Sequence, residues 1–171
     1  MPVPLHDGIQ PAKVIAALTD EGAIAPLTPY ASDQIQPASL DLRLGAKAYR
    51  VRASFLPGPG RKVVDCLDYL ALHEIDLTKP VLLETGCVYI AELQESLALP
   101  PSLSASANPK SSTGRIDVFT RVITDRAREF DAIEPGYTAR SMPRSPRAPF
   151  RCGCGWARAC RNCACGRARY A

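Results

Sequence analysis

The chain has 171 residues, 46% of them hydrophobic, which is enough for one domain with a single core. It has no apolar run long enough to cross a bilayer and no signal-peptide pattern at its start, so we expect no membrane contact and a cytoplasmic protein. The net charge of +4 is uneven, because residues 138–171 contain eight arginines and no Lys, Asp or Glu. Residues 1–137 therefore carry a net charge of −4, which gives no reason to expect specific nucleic-acid binding.

The first predicted element is an amphipathic helix over Pro11 to Gly22. Val14, Ile15 and Leu18 form its apolar face, and Gly22 supplies the stop. A proline-rich connection follows.

The next pattern is the strict alternation of Ser39 to Leu44, which is typical of a half-buried strand. Ala46 to Ala53 continues as a strand, and Leu56 to Gly60 is a turn. The segment from Val63 to Ile75 fits either a helix or a strand.

The remaining predicted elements are short strands punctuated by proline and glycine. They are Lys79 to Glu84, Cys87 to Leu93, Ser96 to Pro100 and Val118 to Ile123, with a turn at Glu134 to Tyr137. This pattern favours a mainly β fold, a sandwich or barrel with one leading helix. Cys66 and Cys87 are isolated, and we interpret each as a small buried apolar residue.

The segment Asn108 to Asp117 has the sequence NPKSSTGRID and contains the residues that we interpret as ligand-binding. Lys110 and Arg115 supply a point charge and a planar donor fork, and two adjacent hydroxyls lie between them, a set that suits a polyanion such as a triphosphate. Gly114 would let a ligand approach the backbone closely. The alternative is a solvated turn in a β-rich protein.

Together with SLDLRLG at 39–45, this segment resembles the deoxycytidine triphosphate deaminase family of the dUTPase-like superfamily, in its long, two-domain bacterial form. The resemblance covers roughly residues 8 to 137. It implies a distorted dUTPase-like β-barrel with a short N-terminal helix, incomplete at its C-terminal end here.

The resemblance also implies an activity. Members of the family are hydrolases acting on cyclic amidines, which deaminate dCTP to dUTP and ammonia in pyrimidine deoxynucleotide synthesis. They use Mg²⁺ with the triphosphate and no zinc, and they form trimers or larger homo-oligomers with sites between subunits. The alternative within the superfamily is a dUTP diphosphatase, which would use an aspartate to activate water at the phosphate.

The resemblance implies two catalytic residues, Ser111 and Arg115. The serine would hold the attacking water and the arginine would stabilise charge near it, while Lys110 and Ser112 would contact the triphosphate. For the two serines the alternative is a turn held by their hydroxyls, and for Arg115 it is a surface ion pair with Asp117 or another acid.

The turn Glu134-Pro-Gly-Tyr137 resembles the family's D-P-G-[WY] turn, whose acid and aromatic lie near the deoxyribose. Glu134 and Tyr137 are therefore substrate-binding candidates, and the alternative is an ordinary type I or II turn. Asp41 is interpreted as structural, satisfying nearby backbone donors.

The chain changes character after Tyr137: 26 of the 33 residues from Ala139 to Ala171 are Ala, Arg, Gly, Cys or Pro. Five cysteines between Cys152 and Cys165 raise a zinc site, but no separated pair of CxxC knuckles is present. An arginine-rich arm for nucleic acid is the second alternative.

The interpretation we favour for this tail is a shifted reading frame. Back-translation of Ala139 to Phe150 in another frame permits PLYAEISPRTFPV, a strand-like string that resembles the family's own segment after this turn. We therefore expect a domain over 1–137 and an aberrant, disordered tail over 138–171. The family's general-base glutamate would lie in that string, so we expect the chain as it stands to be inactive, a non-enzymatic truncated product.

Overall fold

The structure is a computed structural model that describes residue 5 and residues 7–115, 118–138, 151–155 and 164–170. For 151–155 and 164–169 it describes the backbone alone. The helices are α1 (Ala12–Asp20), α2 (Val63–Leu70) and α3 (Ser111–Gly114). The strands are β1 (Ile24–Pro26), β2 (Ile35–Gln36), β3 (Ser39–Val51), β4 (Ala71–Asp76), β5 (Val88–Leu93), β6 (Glu95–Leu97), β7 (Ala105–Pro109), β8 (Phe119–Ile123), β9 (Ala132–Ile133), β10 (Arg151–Gly155) and β11 (Ala164–Tyr170).

The leading helix α1 is present as predicted. It buries Val14, Ile15 and Leu18 against the sheet, and Gly22 follows its end with a φ of +75°. Pro11 precedes the helix in extended conformation, and its carbonyl accepts the first helical hydrogen bonds.

The long strand β3 organises the fold, because its two halves pair with different strands. The first half pairs with β2 and β11, and the second half pairs with β4 and β5. The prediction of a half-buried strand at 39–44 is wrong for its start, since Ser39 and Asp41 are buried as well as Leu40 and Leu42. Tertiary packing covers both faces there, which alternation alone does not reveal.

Gly45 marks the bend between the two halves of β3. Its pairing with β5 is irregular between Leu44 and Ala48, and a Cβ at Gly45 would lie 3.1 Å from the carbonyl oxygen of Glu92. The glycine that ends the SLDLRLG motif is therefore needed for close strand approach.

Two segments between β3 and β5 have a structure that the sequence did not predict clearly or correctly. Residues 63–75 divide into α2 and most of β4. The predicted strand at Lys79 to Glu84 is wrong, because β4 already occupies the neighbouring edge of β3 and Leu82 is 74% exposed. The strand predicted at Cys87 to Leu93 is confirmed as β5.

Two apolar clusters form the core. The larger packs α1 against Leu40 and Leu42 of β3, and the smaller joins α2 to Ile90 and Ile123. Cys66 is buried as predicted, whereas Cys87 is half-buried and its thiol lies 3.0 Å from an Arg50 nitrogen.

The main sheet has the order β8-β10-β5-β3-β11-β7-β9, with β2 and β4 also paired to β3, and β1 pairs separately with β6. The predicted mainly β fold with a short leading helix is confirmed. The tail departs from the expected disorder in two places, since β10 lies between β5 and β8 and β11 lies between β3 and β7. The hydrogen bonds between paired strands use backbone groups alone. A strand rich in Arg and Cys can therefore pair with the strands on either side of it.

Among the described helices, none combines the length and the apolar character needed to span a bilayer.

Candidate nucleotide site

The segment that carries the predicted chemistry forms the one-turn helix α3. Lys110 precedes it in extended conformation, and Arg115 ends it with αR backbone angles. Ser111, Ser112 and Arg115 are exposed, whereas Thr113 is buried. The segment therefore exposes three of its own four side chains for which the resemblance implies ligand contact, namely Ser111, Ser112 and Arg115.

Thr113 fixes this turn from the inside. Its hydroxyl donates to the carbonyl of Lys110 at 2.6 Å, and its own carbonyl accepts from the amide of Val118 at 3.0 Å. Thr113 therefore contributes a side-chain hydrogen bond within this turn, and the hydroxyl-held turn that is the alternative for the two serines stays a prediction.

Ser111 and Arg115 lie side by side. The amide of Arg115 donates to the carbonyl of Ser111 at 3.1 Å, and residues four apart in a helical turn project from the same face. Arg115 forms none of the ion pairs found among the described residues, and Asp117, its suggested partner, lies outside them.

Lys110 links the two motifs that carry the resemblance. Its Nζ lies 2.6 Å from Oδ2 of Asp41 on β3, with 28% of the lysine side chain and 7% of the aspartate side chain exposed. Asp41 is thus held by a charged side chain, whereas its expected contact with backbone donors stays a prediction. The proposed phosphate ligand Lys110 already holds one carboxylate.

Glu134 to Tyr137 forms a type II turn, with the amide of Tyr137 on the carbonyl of Glu134 at 3.1 Å and a φ of +71° at Gly136. Glu134 is exposed and Tyr137 is half-buried. The backbone of the turn is fixed to the preceding loop, because Gly136 donates to Pro100 and Leu99 donates to Tyr137. The backbone thus forms an ordinary type II turn, and the Glu134 side chain is exposed to solvent.

Asp125 connects this turn to helix α2, a link that the sequence did not suggest. Its backbone amide lies 3.3 Å from the phenolic oxygen of Tyr137, and its carboxylate accepts from the amide of Val63 at 2.8 Å. Val63 is the first residue of α2, so a distant aspartate satisfies one of the helix's unpaired amides.

The two halves of the predicted site do not meet within one chain. Strand β9 pairs with the start of β7, at Ala105 and Ser106, and the Glu134 turn follows β9, whereas α3 follows the end of β7. From Ala105 to Lys110 the backbone advances by roughly 16 Å. Glu134 and Tyr137 therefore lie toward the opposite end of β7 from Ser111 and Arg115.

An ion pair between Arg43 and the buried Glu95, which the sequence did not predict, holds the first strand motif in place. Glu95 accepts from the Arg43 amide at 2.9 Å, from Arg43 Nε at 3.1 Å and from Gln34 Nε2 at 2.8 Å. Burial raises the pKa of Glu95 above its ordinary value, and the hydrogen bonds from Arg43 oppose that rise. Arg43 is visible in the motif, but no local pattern predicts that Glu95 would be its partner.

No group of three or more His, Cys, Asp or Glu side chains placed to hold a metal ion occurs in the described part of the chain. The cysteine side chains of 152–165 lie outside that part, so the expectation that the chain binds no zinc stays a prediction.

The sequence profile described as "2'-deoxycytidine 5'-triphosphate deaminase (DCD) N-terminal domain" matches residues 6–144. The chain belongs to this family. The match begins slightly before and ends slightly after the 8–137 expected from the two motifs.

Individual relatives agree with this assignment. The chain is similar to the "dCTP deaminase, dUMP-forming" of Streptomyces avermitilis, with 31% identity over 126 residues that cover 74% of this chain and 62% of the relative. It is 32% identical over 114 residues to the "dCTP deaminase" of Alteromonas mediterranea, covering 62% of this chain and 54% of the relative.

Among solved structures, the chain is similar to the 2'-deoxycytidine 5'-triphosphate deaminase of Agrobacterium tumefaciens. The TM-score is 0.83 and the identity 49%, over 95% of this chain and 47% of that one. The chain thus spans about half to three-fifths of the length of these relatives.

Proposed function

We propose that this chain is the nucleotide-binding domain of a dCTP deaminase, a hydrolase acting on cyclic amidines that converts dCTP to dUTP and ammonia. The observation that carries the proposal is the exposure of Ser111 and Arg115 on one face of α3, inside the domain that matches the family. Arg115 would stabilise charge that develops on the attacked ring, and Ser111 would hold the attacking water.

Ser112 and Lys110 are proposed to bind the triphosphate. Ser112 is exposed next to Ser111, and the Lys110 side chain remains 28% exposed beside its carboxylate. A hydroxyl and an ammonium are both donors to phosphate oxygens.

Mg²⁺ is proposed to arrive with the nucleotide. Mg²⁺ retains several waters and is usually held by substrate phosphates with one or two carboxylates, so it needs no preformed protein cage. The described residues fit this mode, since they offer exposed hydroxyls at α3 and no cluster of carboxylates. When bound, the ion would neutralise triphosphate charge.

The distance between α3 and the Glu134 turn supports a site shared by two copies of the chain. Glu134 and Tyr137 of one copy would face the deoxyribose of a nucleotide held by Ser111 and Arg115 of another. A homo-oligomer, a trimer or larger, is therefore part of the proposal, as is a cytoplasmic location.

The product defines the second candidate function. The Streptomyces relative and the relatives from Methanosphaera stadtmanae and Acidothermus cellulolyticus are named dUMP-forming, whereas the Alteromonas relative is not. The alternative is therefore an enzyme that also releases diphosphate. A plain dUTP diphosphatase would release diphosphate from dUTP and leave dCTP unchanged.

The experiment compares the chain as it stands with a repaired chain in which residues 139–151 are replaced by PLYAEISPRTFPV. Residues 138–171 contain no carboxylate side chain, so the general base implied by the resemblance is restored only by the repair. We expect the repaired chain to release ammonia from dCTP roughly 10²–10⁴-fold faster than the original chain. Changing the new glutamate to Gln should abolish that gain.

Two results would contradict the proposal. One is equal ammonia release by the original and repaired chains, which would show that the restored glutamate does not act as the general base. The other is a repaired chain that folds and hydrolyses dUTP but leaves dCTP intact, which would favour the diphosphatase. Diphosphate measured together with ammonia identifies the dUMP-forming alternative.

A further inference from the structure

We propose that Asp41 is a positioning residue that holds the Lys110 ammonium at the phosphate-binding face of α3. The inference rests on the proposed function, because it concerns the triphosphate end of the same site. It assigns to the aspartate of the first motif a role in ligand binding that acts through Lys110.

The geometry of the pair differs from that of an ordinary surface salt bridge. Lys110 Nζ and Asp41 Oδ2 are 2.6 Å apart, and the aspartate side chain is 7% exposed. In the Lys47–Glu74 pair of the same protein the atoms are 2.8 Å apart and both side chains are about half exposed. Solvent screens the buried carboxylate less, so Asp41 constrains its lysine more strongly than Glu74 does.

The pair also crosses a strand. Asp41 is on β3 and Lys110 follows β7, and β11 lies between these two strands. Neighbouring strands are about 4.8 Å apart, so the lysine and aspartate side chains together bridge roughly two strand spacings. A lysine whose ammonium is held at its far end has lost part of the freedom of its four-carbon stem.

The ammonium keeps donors for a ligand. It has three N–H groups, of which the bond to Asp41 uses one, and its side chain is 28% exposed. A phosphate approaching α3 would therefore meet an ammonium whose position is already fixed, so binding need not order the lysine.

Charge and position make opposite predictions for Asp41. Removing its negative charge should by itself strengthen the attraction of the site for a polyanion. If Asp41 acts by fixing Lys110, removing the charge should weaken binding instead. Asp41→Asn keeps the shape of the side chain and separates the two effects.

The experiment measures the binding of inorganic tripolyphosphate to the full chain by titration calorimetry. The variants are Asp41→Asn, Lys110→Met, their combination, and Glu74→Gln as a matched control that removes one carboxylate from the exposed pair. We expect about tenfold weaker binding for each single site variant and no further loss in the combination, because both changes remove one interaction. Glu74→Gln should bind within twofold of the original chain.

Equal or tighter binding by Asp41→Asn would overturn the inference, and so would a combined loss equal to the product of the two single losses. An original chain that binds no tripolyphosphate would refute the phosphate site of the proposed function itself, which is a distinguishable result. Where Asp41→Asn does not fold, Lys110→Arg provides the second test. A guanidinium held by Asp41 should bind within a fewfold of the original chain, and a loss as large as that of Lys110→Met would also overturn the inference.

Discussion

The phenolic oxygen of Tyr137 accepts a hydrogen bond from the backbone amide of Asp125, 3.3 Å away. Asp125 also accepts from the first amide of α2 through its carboxylate, at 2.8 Å. One residue therefore connects a substrate-binding candidate to a helix that forms part of the smaller core cluster.

Asp125→Ala should destabilise the protein by about 1 kcal/mol, because it leaves the Val63 amide without its side-chain acceptor. Asp125→Asn keeps an acceptor oxygen and should lose less than half of that. Chemical denaturation of both variants measures the difference. Equal loss in the two variants would show that the carboxylate charge, and not the cap, provides the stability.

Glu95→Gln tests the buried ion pair through the pH dependence of stability. The folded-state pKa of Glu95 is raised by burial, so the folded protein binds its proton more tightly than the unfolded chain does. The favourable contribution is complete below the unfolded value, near 4.5, and is lost as pH rises through the folded pKa. The original chain should therefore lose stability relative to Glu95→Gln as pH rises above about 4.5.

The pKa of Glu74 is shifted in the opposite direction to that of Glu95, so Glu74 serves as a comparison. Its hydrogen bond with Lys47 lowers its pKa, so the stability it contributes is present above the ordinary value of 4.5 and is lost as pH falls through the folded pKa. Thermal unfolding of Glu95→Gln, Glu74→Gln and the original chain between about pH 2.5 and pH 8 checks both slopes. A Glu95→Gln curve parallel to that of the original chain would contradict the assigned pKa shift.

Gly114→Ala distinguishes an effect on dCTP binding from an effect on the stability of the fold. No heavy atom lies within 4 Å of a Cβ built at Gly114, and the residue lies in α3, so alanine should keep or raise stability by about 0.4–1 kcal/mol. If a nucleotide approaches the backbone here, the same change should weaken dCTP binding severalfold. Gly45→Ala is the contrasting variant, since its Cβ would meet Glu92 and should destabilise by about 1–3 kcal/mol. Unchanged dCTP binding by Gly114→Ala would place the ligand away from this backbone.

The local parts of the fold could be predicted from the sequence because their signals are local. The apolar spacing of α1 and the Pro-Gly pair of the Glu134 turn depend on neighbouring residues and were found in place. The segment at Lys79 to Glu84 has the apolar content of a strand but pairs with none of the described strands, because strand pairing depends on tertiary context and not on local sequence alone.

The long-range parts of the site were beyond the sequence for the same reason. Ser111 and Arg115 could be placed together because they are four residues apart in one turn. Lys110 and Asp41 are 69 positions apart, and their pairing depends on strand order. The resemblance groups Glu134 and Tyr137 with Ser111, whereas the path of β7 puts them toward opposite ends of that strand.

The most direct test of the account is the affinity of the full chain for dCTP with Mg²⁺, measured by calorimetry for the original chain, Arg115→Met and Arg52→Met. Arg52 is an exposed arginine just beyond the far end of β3 from Asp41, so its removal controls for the loss of one positive charge. We expect Arg115→Met to bind about 10- to 100-fold more weakly, as for the loss of a hydrogen bond to a charged group, and Arg52→Met to bind within twofold of the original. Equal dCTP affinity for Arg115→Met and the original chain would contradict the claim that α3 faces the nucleotide.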